Sequence, residues 1–387
     1  MRINVGPSVE GENFFGRHKE LERIADIWQN HATGIFIPGP RRIGKTSLVK
    51  EFMRRNHRHY KFIYFDLEGR YSIIELCKDL MKEIESSFPG LIKRKDKSIE
   101  KWNTLNKMLS EIEIGGILKI KTGELTQTTK DFIDRMDDVF DLLYNENFII
   151  AFDEFSDFLL NLKKSNNDEV KFFLEWMRRL RHERKLRLMI TGSINIISTI
   201  EELNFLYLIN DMTDIEILPL QREEIRSLST ELLKVKKITL SREALDFVEE
   251  RLGDGIPFYV QLFADGLAYY GGGNRTIYNL DEIKDLYKRI TDKTHKEFLD
   301  LHNRLKNHLQ SAEYNAATKI LAHCCQSPMG FDDIYPFLEN ILPEKLAVNK
   351  ILKRLTDEGY LKKENGKYGF VSILLADWWK NHYEYER

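Results

Sequence analysis

The sequence contains few cysteines and no long apolar run. Its three cysteines, Cys77, Cys324 and Cys325, form no C-x-x-C pair. Adjacent cysteines rarely bridge each other, so we expect reduced thiols and a reducing compartment. No run of about 18 apolar residues, the length that spans a bilayer, is present. The first residues, MRINVGPSVEGENFF, lack the apolar core of a secretory signal, and the expected location is the cytoplasm.

The sequence also lacks an excess of charge of either sign. The formal net charge is −2 over 387 residues, so any surface that binds a polyanion must be local. Apolar residues make up 42% and charged residues 31%, which is typical of a soluble globular protein. The length allows two or three domains with sizeable cores.

Short apolar runs alternate with helical patterns in the N-terminal half. The runs occupy residues 34–37, 61–67, 147–154, 186–193 and 213–220. They are almost continuously apolar, as in strands buried on both faces of a parallel sheet. We therefore predict an α/β fold in which helices flank a parallel sheet.

The patterns in the rest of the sequence predict an insertion and two helical regions. Residues 88–130 form an insertion with a basic run at 93–97 and a hairpin around Gly115-Gly116. The pattern is helical from about residue 221. From about 311 it predicts three helices and an Asn-Gly hairpin, which together make a winged helix-turn-helix. The predicted domains are 1–220, 221–308 and 309–387.

The stretch GPRRIGKTS (39–47) fits the phosphate-loop pattern G-x-x-x-x-G-K-[ST]. A polar turn is the alternative, but the stretch lies directly between a predicted strand and helix. Glycines let the backbone turn its N–H groups toward phosphates, and a helix N-terminus adds positive potential. Lys45 would reach the β- and γ-phosphates, and Thr46 would ligate Mg²⁺. The expected nucleotide-binding residues are Gly39, Pro40, Arg41, Arg42, Ile43, Gly44, Lys45, Thr46 and Ser47.

Two acidic residues, Asp153 and Glu154, follow the third apolar run. An ATPase needs one carboxylate for the Mg²⁺ shell and a second to polarise the attacking water. Carboxyl ends of strands are where open α/β sheets bind ligands. We therefore predict Asp153 as a metal ligand and Glu154 as the catalytic base, against the alternative of a solvated loop.

Polar residues near the end of the fourth run are further catalytic candidates. Thr191 or Ser193 could lie beside the γ-phosphate, although Gly192 could equally mark an ordinary turn. Phosphoryl transfer also gains from an arginine that neutralises charge in the transition state. Four arginines near this strand could serve, or could form a solvated basic face: Arg178, Arg179, Arg181 and Arg187.

Several segments resemble one family. FFGRHKELERI (14–24) resembles the N-terminal box that cups adenine in AAA+ and STAND ATPases. PGPRRIGKTSL, IIAFDEF and ITGS resemble their Walker A, Walker B and sensor-1 segments, and LGDGIPFYVQLFADGL resembles the G-x-P segment of the STAND lid. The full chain is similar to the archaeal-type ATPase family of the STAND/AAA+ group, and more distantly to archaeal origin-recognition initiators.

This resemblance implies the sheet order 5-1-4-3-2, a helical lid over residues 221–308, and binding of ATP or ADP with Mg²⁺. It implies that the backbone at Phe15, Gly16 and Arg17 contacts adenine and that Pro257 packs on the nucleotide side of the lid. A winged-helix histidine, here His323, would touch the ADP β-phosphate, unless it is structural. The lid segment lacks a sensor-2 arginine, which favours a slow switch over a motor.

Three hypotheses follow: a slow ATPase switch that changes self-association or partner binding, an ATP-dependent DNA-binding protein, and a nucleotide-binding scaffold. The DNA-facing candidates are Asn349, Lys350, Lys353, Arg354, Lys362, Lys363 and Lys367. Residues 311–387 hold ten Lys/Arg against eleven Asp/Glu, which favours an internal latch over a DNA reader. The insertion 88–130, with nine Lys/Arg against five Asp/Glu, is interpreted as solvated surface.

Overall fold

The computed structural model describes residues 1–30, 32–89, 133–134, 136–137, 140, 147–165, 167–193, 195–271, 277–293 and 295–383. These residues divide into two compact units. The sheet unit comprises Arg17–Pro38 and Leu48–Glu216, and the helical unit comprises Met1–Gly16, Gly39–Ser47 and Ile217–Arg387. The predicted insertion, from residue 90 onward, lies outside the described residues.

The sheet unit contains a five-stranded parallel sheet. Its strands are β1 (Gly34–Pro38), β2 (Lys61–Asp66), β3 (Phe148–Asp153), β4 (Arg187–Gly192) and β5 (Thr213–Asp214). Their spatial order is β2-β3-β4-β1-β5, and every neighbouring pair is parallel. This is the predicted order 5-1-4-3-2 read from the opposite edge, so the predicted sheet is confirmed.

One helix precedes the first strand of the sheet, and others follow its strands along the chain. They are α1 (His18–Gln29), α2 (Lys45–Asn56), α3 (Ile73–Ser87), α4 (Phe155–Ser165), α5 (Asn167–His182) and α6 (Asn195–Glu202). All six residues of β3 are buried, as expected for a strand covered on both faces. Phe155, Phe173 and Trp176 belong to the same core cluster. Burying each aromatic side chain contributes about 1.5–3 kcal/mol.

The edge strand β5 is shorter than the sequence predicts. Only Thr213 and Asp214 pair with β1, although the apolar run extends to residue 220. One more sheet hydrogen bond follows, from Ile215 N to Phe36 O at 2.8 Å. Leu220 instead pairs with Gly255 in the helical unit. Apolar sequence alone could not reveal this change of partner.

Arg181 on α5 is fully buried and supports the sheet. Its Nε and Nη2 each donate to the Asp211 carboxylate at 2.7 Å, and Nη2 also donates to Leu208 O. Gly34 of β1 accommodates this side chain, because an added Cβ would lie 2.8 Å from Arg181 Cδ. Arg181, one of the four arginines considered as a transition-state residue or as part of a solvated face, is therefore structural.

The helical unit contains two groups of helices. The segment 222–308 forms α7 (Arg222–Val235), α8 (Arg242–Leu252), α9 (Pro257–Tyr270), α10 (Leu280–Lys293) and α11 (His295–His308). Two short parallel strands, β6 (Thr239–Leu240) and β7 (Ile277–Tyr278), accompany them.

The C-terminal module, residues 311–383, contains four helices and a hairpin, where the sequence predicts three helices and a hairpin. Its helices are α12 (Ser311–Cys324), α13 (Phe331–Leu338), α14 (Lys345–Asp357) and α15 (Ile373–Tyr383). Its strands are β8 (Met329–Gly330), β9 (Leu361–Glu364) and β10 (Lys367–Phe370). The turn between β9 and β10 has positive φ at Asn365 (50°) and Gly366 (80°), the geometry that an Asn-Gly hairpin requires.

Two aromatic contacts identify the core of this module. Trp378 and Trp379 on α15 are 0% exposed and pack in this core. The half-buried His323 ring stacks on Phe337, with centroids 4.2 Å apart. This contact favours the structural alternative for His323.

Gly253 connects α8 to the C-terminal module. Its φ is 65°, and an added Cβ would lie 2.7 Å from Val371 O. The next residue, Asp254, donates its backbone N–H to the same carbonyl at 2.8 Å. Backbone therefore meets backbone at this corner, and no side chain fits.

All three cysteines are free thiols. Within the described ranges, no helix has both the length and the apolar character needed to cross a bilayer.

Candidate functional site

The glycine loop follows β1 directly and leads into α2 at Lys45. Arg42 and Gly44 both have positive φ, 66° and 103°. The space around Gly44 is open, so glycine is needed there for its backbone conformation. An added Cβ on Gly39 would lie 3.3 Å from Ile43, a fully buried residue. The loop is thus a tight turn that ends at a helix N-terminus, the arrangement that binds anions through backbone N–H groups in proteins generally.

Lys45 folds back over this loop. The residue is 6% exposed, and Nζ donates to Gly39 O at 2.9 Å and to Pro40 O at 3.0 Å. These two bonds hold the ammonium group against the loop. The other predicted loop residues, Arg41, Thr46 and Ser47, are half-buried.

Arg42 joins the loop to the segment 222–308. Its guanidinium lies over the Phe258 ring, 3.8 Å from the centroid, and Nη2 lies 3.4 Å from Asp300 Oδ2. Burial lowers the pKa of Arg42, but a guanidinium remains charged in proteins. Phe258 and Asp300 were missed at the sequence level, because both contacts are distant in the chain.

Pro257 opens α9 as its first residue, a position where proline is favoured. Gly255, two residues earlier, has no room for a side chain, because an added Cβ would lie 2.3 Å from Leu220 O. Leu220 N donates to Gly255 O at 2.7 Å. The glycine and proline of this segment therefore have clear structural roles.

The N-terminal arm, residues 1–16, contacts α9 and the first turn of α2. Asn4 N donates to Gln261 Oε1 at 2.9 Å, and Val9 N donates to Ser47 Oγ at 3.1 Å. Phe15 and Gly16, two of the predicted adenine contacts, end this arm and are half-buried. The third, Arg17, pairs with Glu20 at 3.1 Å in the sheet unit.

Asp153 ends β3 and is 2% exposed. Its Oδ1 accepts hydrogen bonds from Thr191 Oγ1 and from Glu154 N. Its Oδ2 accepts from the phenol of Tyr64 on β2 at 2.7 Å. The structure therefore brings Thr191, but not Ser193, to this carboxylate through its side chain.

Tyr64 was missed at the sequence level. Burial raises its pKa, and the charge of Asp153 raises it further, so the phenol remains a donor. Tyr64 pairs with Ala151, and Asp153 follows two residues later on the same face of the sheet. The sequence feature that could have revealed it is its position, two residues before the end of β2.

Glu154 has a left-handed backbone, with φ of 51°, and lies between β3 and α4. This conformation costs a non-glycine residue about 1–2 kcal/mol. Such strain concentrates at functional sites, where the surrounding structure holds it in place. The side chain is half-buried.

Ser193 is held by its backbone. Ser193 N donates to Ser156 Oγ at 2.7 Å, and Ser156 is 3% exposed. An added Cβ on Gly192 would lie 2.5 Å from the same hydroxyl oxygen. Ser156, which the sequence did not suggest, thus fixes the turn after β4.

The oxygen ligands predicted for a metal fit Mg²⁺ better than a softer ion. Among the described residues, no group of three or more His, Cys, Asp or Glu side chains could hold a metal on its own. Mg²⁺ usually keeps several waters and is bound through one or two protein oxygens plus substrate phosphates. The Thr46 hydroxyl and the Asp153 carboxylate are oxygen donors of this kind.

Residues 14–263 match a family described as an ATPase domain predominantly from Archaea. The chain belongs to this family. The match covers the glycine loop, the acidic pair and the start of α9, so the predictions of the family and of an ATPase are confirmed.

The chain also resembles a curated relative over a short stretch. An uncharacterised ATP-binding protein of Pyrococcus abyssi is 32% identical over 87 residues. The match covers 20% of this chain and 27% of that protein. The curated relative is therefore matched over about a quarter of its own length.

Solved structures resemble the chain over nearly its whole length. The Walker-type ATPase PABY2304 of Pyrococcus abyssi aligns with a TM-score of 0.62 and 17% identity, covering 98% of this chain and 100% of that one. The ORC2 protein of Aeropyrum pernix, in ADPNP–ADP complexes, aligns with a TM-score of 0.60 and 13% identity, covering 97% and 96%. At these identities the likeness shows the fold, and the predicted P-loop ATPase fold is confirmed.

Proposed function

We propose that this ATPase binds ATP or ADP with Mg²⁺, hydrolyses ATP slowly, and acts as a nucleotide-controlled conformational or assembly switch. In this proposal residues 221–308 form the lid and residues 309–387 a winged helix that serves as an internal latch. The partner that responds is a second copy of the chain or another protein.

The loop residues bind the phosphates. Backbone N–H groups of residues 41–45 surround the β-phosphate, and Lys45 neutralises the β- and γ-phosphates. Thr46 supplies a ligand to Mg²⁺, which neutralises charge that develops during phosphoryl transfer. Phe15, Gly16 and Arg17 contact adenine through their backbone, and Pro257 packs on the nucleotide side of the lid.

The acidic pair carries out the chemistry. Asp153 holds the Mg²⁺ shell, and Glu154 accepts a proton from the attacking water. Thr191 reports the state of the γ-phosphate through its hydrogen bond to Asp153, and Ser193 contributes to the same turn. The α9 segment GIPFYVQ lacks an arginine that could approach the γ-phosphate, which supports slow turnover.

The observation that best supports the switch proposal is the contact between the phosphate loop and the C-terminal module. Gly359, just after α14, has φ of 83°, and an added Cβ would lie 2.9 Å from Pro40 Cβ. Next to it, the buried Tyr360 donates to Leu301 O at 2.6 Å. Lys362 pairs with Asp254 at 2.6 Å. Any nucleotide that moves Pro40 would therefore act on both helical groups.

Gly359→Ala tests this coupling. The added methyl presses on Pro40, so we expect ATP and ADP affinities to change by about tenfold, the effect of roughly 1.4 kcal/mol. Gly366→Ala is the matched control, since Gly366 also has positive φ (80°) but nothing lies within 4 Å of its Cβ position. Titration with a fluorescent ATP analogue measures the affinity of both variants. Equal affinities in the two variants would contradict the coupling.

The assembly state is read by light scattering after size-exclusion chromatography in ATP, in ADP and without nucleotide. The switch proposal expects a different mass or elution volume in ATP than in ADP. Gly359→Ala should reduce that difference, whereas Gly366→Ala should retain it.

DNA binding is a second candidate function, favoured by one exposed basic surface. Asn349, Lys350 and Lys353 are exposed on α14, and Lys363 and Lys367 are exposed on the hairpin. Three of the candidates, Lys353, Arg354 and Lys362, are engaged with carboxylates.

If DNA binds this surface, Lys350→Ala should weaken binding uniformly across sequences, and the slope of log affinity against log salt should fall by about one. Fluorescence anisotropy of a labelled duplex measures this, with Lys171→Ala on α5 as the control. An affinity that neither rises with ATP nor depends on salt would exclude this candidate.

A further inference from the structure

Tyr64 lies on β2, the strand next to β3, and is half-buried in the sheet unit. The Tyr64 phenol donates to Asp153 Oδ2 at 2.7 Å. Lys50 of α2 lies over the ring, with its Nζ 5.0 Å from the centroid. The ring is thus fixed by a cation–π contact, and its hydroxyl is directed at one oxygen of one carboxylate.

The two oxygens of Asp153 are held by different strands. Oδ1 accepts from Thr191 on β4 and from Glu154 N, and Oδ2 accepts from Tyr64 on β2. The terminal torsion of an aspartate is broad, so a carboxylate held through one oxygen can still turn. Donors on both oxygens, from both neighbouring strands, fix the plane of this carboxylate.

Orientation matters because Mg²⁺ demands near-ideal octahedral geometry. A carboxylate that serves the metal must present its lone pairs at a fixed angle. Hydrogen-bond partners behind a metal ligand typically account for about 10–100-fold in metal affinity.

We propose that Tyr64 is a positioning residue that orients Asp153 for Mg²⁺, so that it sets the metal affinity of the nucleotide complex without touching nucleotide. This inference rests on the proposed function of Asp153. Tyr64 acts through the carboxylate alone, and therefore its hydroxyl affects the metal-dependent part of binding and leaves metal-free binding unchanged.

Tyr64→Phe removes the hydroxyl and keeps the ring. Mn²⁺ serves as the probe, and its free concentration is measured by electron paramagnetic resonance with the full chain and ATP. We expect the dissociation constant for Mn²⁺ to rise about tenfold. ADP affinity in EDTA should stay close to that of the unmodified protein, while the melting temperature should fall by the few degrees expected for one lost buried hydrogen bond.

Tyr60→Phe is the matched control, because Tyr60 lies just before β2 and contacts Phe62. A second control is the double variant Asp153→Asn with Tyr64→Phe. If Tyr64 acts through Asp153, its loss adds nothing to the effect of Asp153→Asn on Mn²⁺ affinity.

Three results would overturn the proposal: unchanged Mn²⁺ affinity in a folded Tyr64→Phe protein, an equal loss in Tyr60→Phe, or full additivity in the double variant. If the unmodified protein shows no Mn²⁺-dependent ATP binding, the proposed function fails, and this inference fails with it. The first three results leave the ATPase proposal intact, so the two failures are distinguishable.

Discussion

Lys45→Ala is expected to reduce ATP affinity by about a thousandfold, or roughly 4 kcal/mol, the range for removing one partner of a buried charge pair. Lys45 is 6% exposed and lies within the loop, where water cannot readily replace its charge. Its contacts to Gly39 O and Pro40 O also hold the loop closed. Loss of the ammonium therefore removes both a phosphate contact and part of the preorganised shape.

Equilibrium titration with a fluorescent ATP analogue measures this loss. Lys171→Ala is the control, since that side chain is 43% exposed and lies on α5. Circular dichroism establishes that both variants are folded. An unchanged ATP affinity in folded Lys45→Ala would refute the phosphate-binding role of the loop.

Glu154→Gln is expected to lower the rate of phosphate release by about a hundredfold to ten-thousandfold, the usual contribution of a general base. The amide keeps the size of the side chain but cannot accept the proton of the attacking water. The strained backbone of Glu154 is unaffected, because Gln and Glu adopt this conformation equally. ATP affinity should therefore stay within a few-fold of the original value.

Measuring phosphate release under single-turnover conditions distinguishes an ATPase in which Glu154 is the general base from a nucleotide-binding scaffold without turnover. Asp157→Asn, one turn along α4, is the control for a nearby loss of charge. If Glu154→Gln hydrolyses ATP as fast as the unmodified protein, Glu154 is not the base. If the unmodified protein itself releases no phosphate, the scaffold hypothesis is supported.

Local sequence patterns predicted the parts of the fold that depend on neighbouring residues. The apolar run at 148–152 is buried on both faces, as its composition required, and the glycine at 44 has the positive φ that the loop motif needs. The strand order was predictable only from family resemblance. Apolar runs show that strands pair, but not which strands pair.

Contacts between residues far apart in the chain could not be predicted. The Tyr64 hydroxyl reaches Asp153 because of strand register, and Arg42 meets Phe258 and Asp300 only after the helices pack. From the sequence alone, Arg181 could be a solvated or a catalytic arginine. The structure shows instead that it is paired with Asp211. A charged side chain carries no sign in the sequence of whether its partner is protein, nucleotide or water.

The backbone contact at Gly253 bears on how this protein can be divided. A chain cut after residue 308 would leave the Asp254 N–H without its acceptor at Val371. It would also remove Lys362, which forms an ion pair with Asp254 at the same corner. Residues 311–383 are therefore not an independent module that can be exchanged freely between chains. Fragments for domain swaps or fusions should keep this corner whole, with the added partner placed beyond α15.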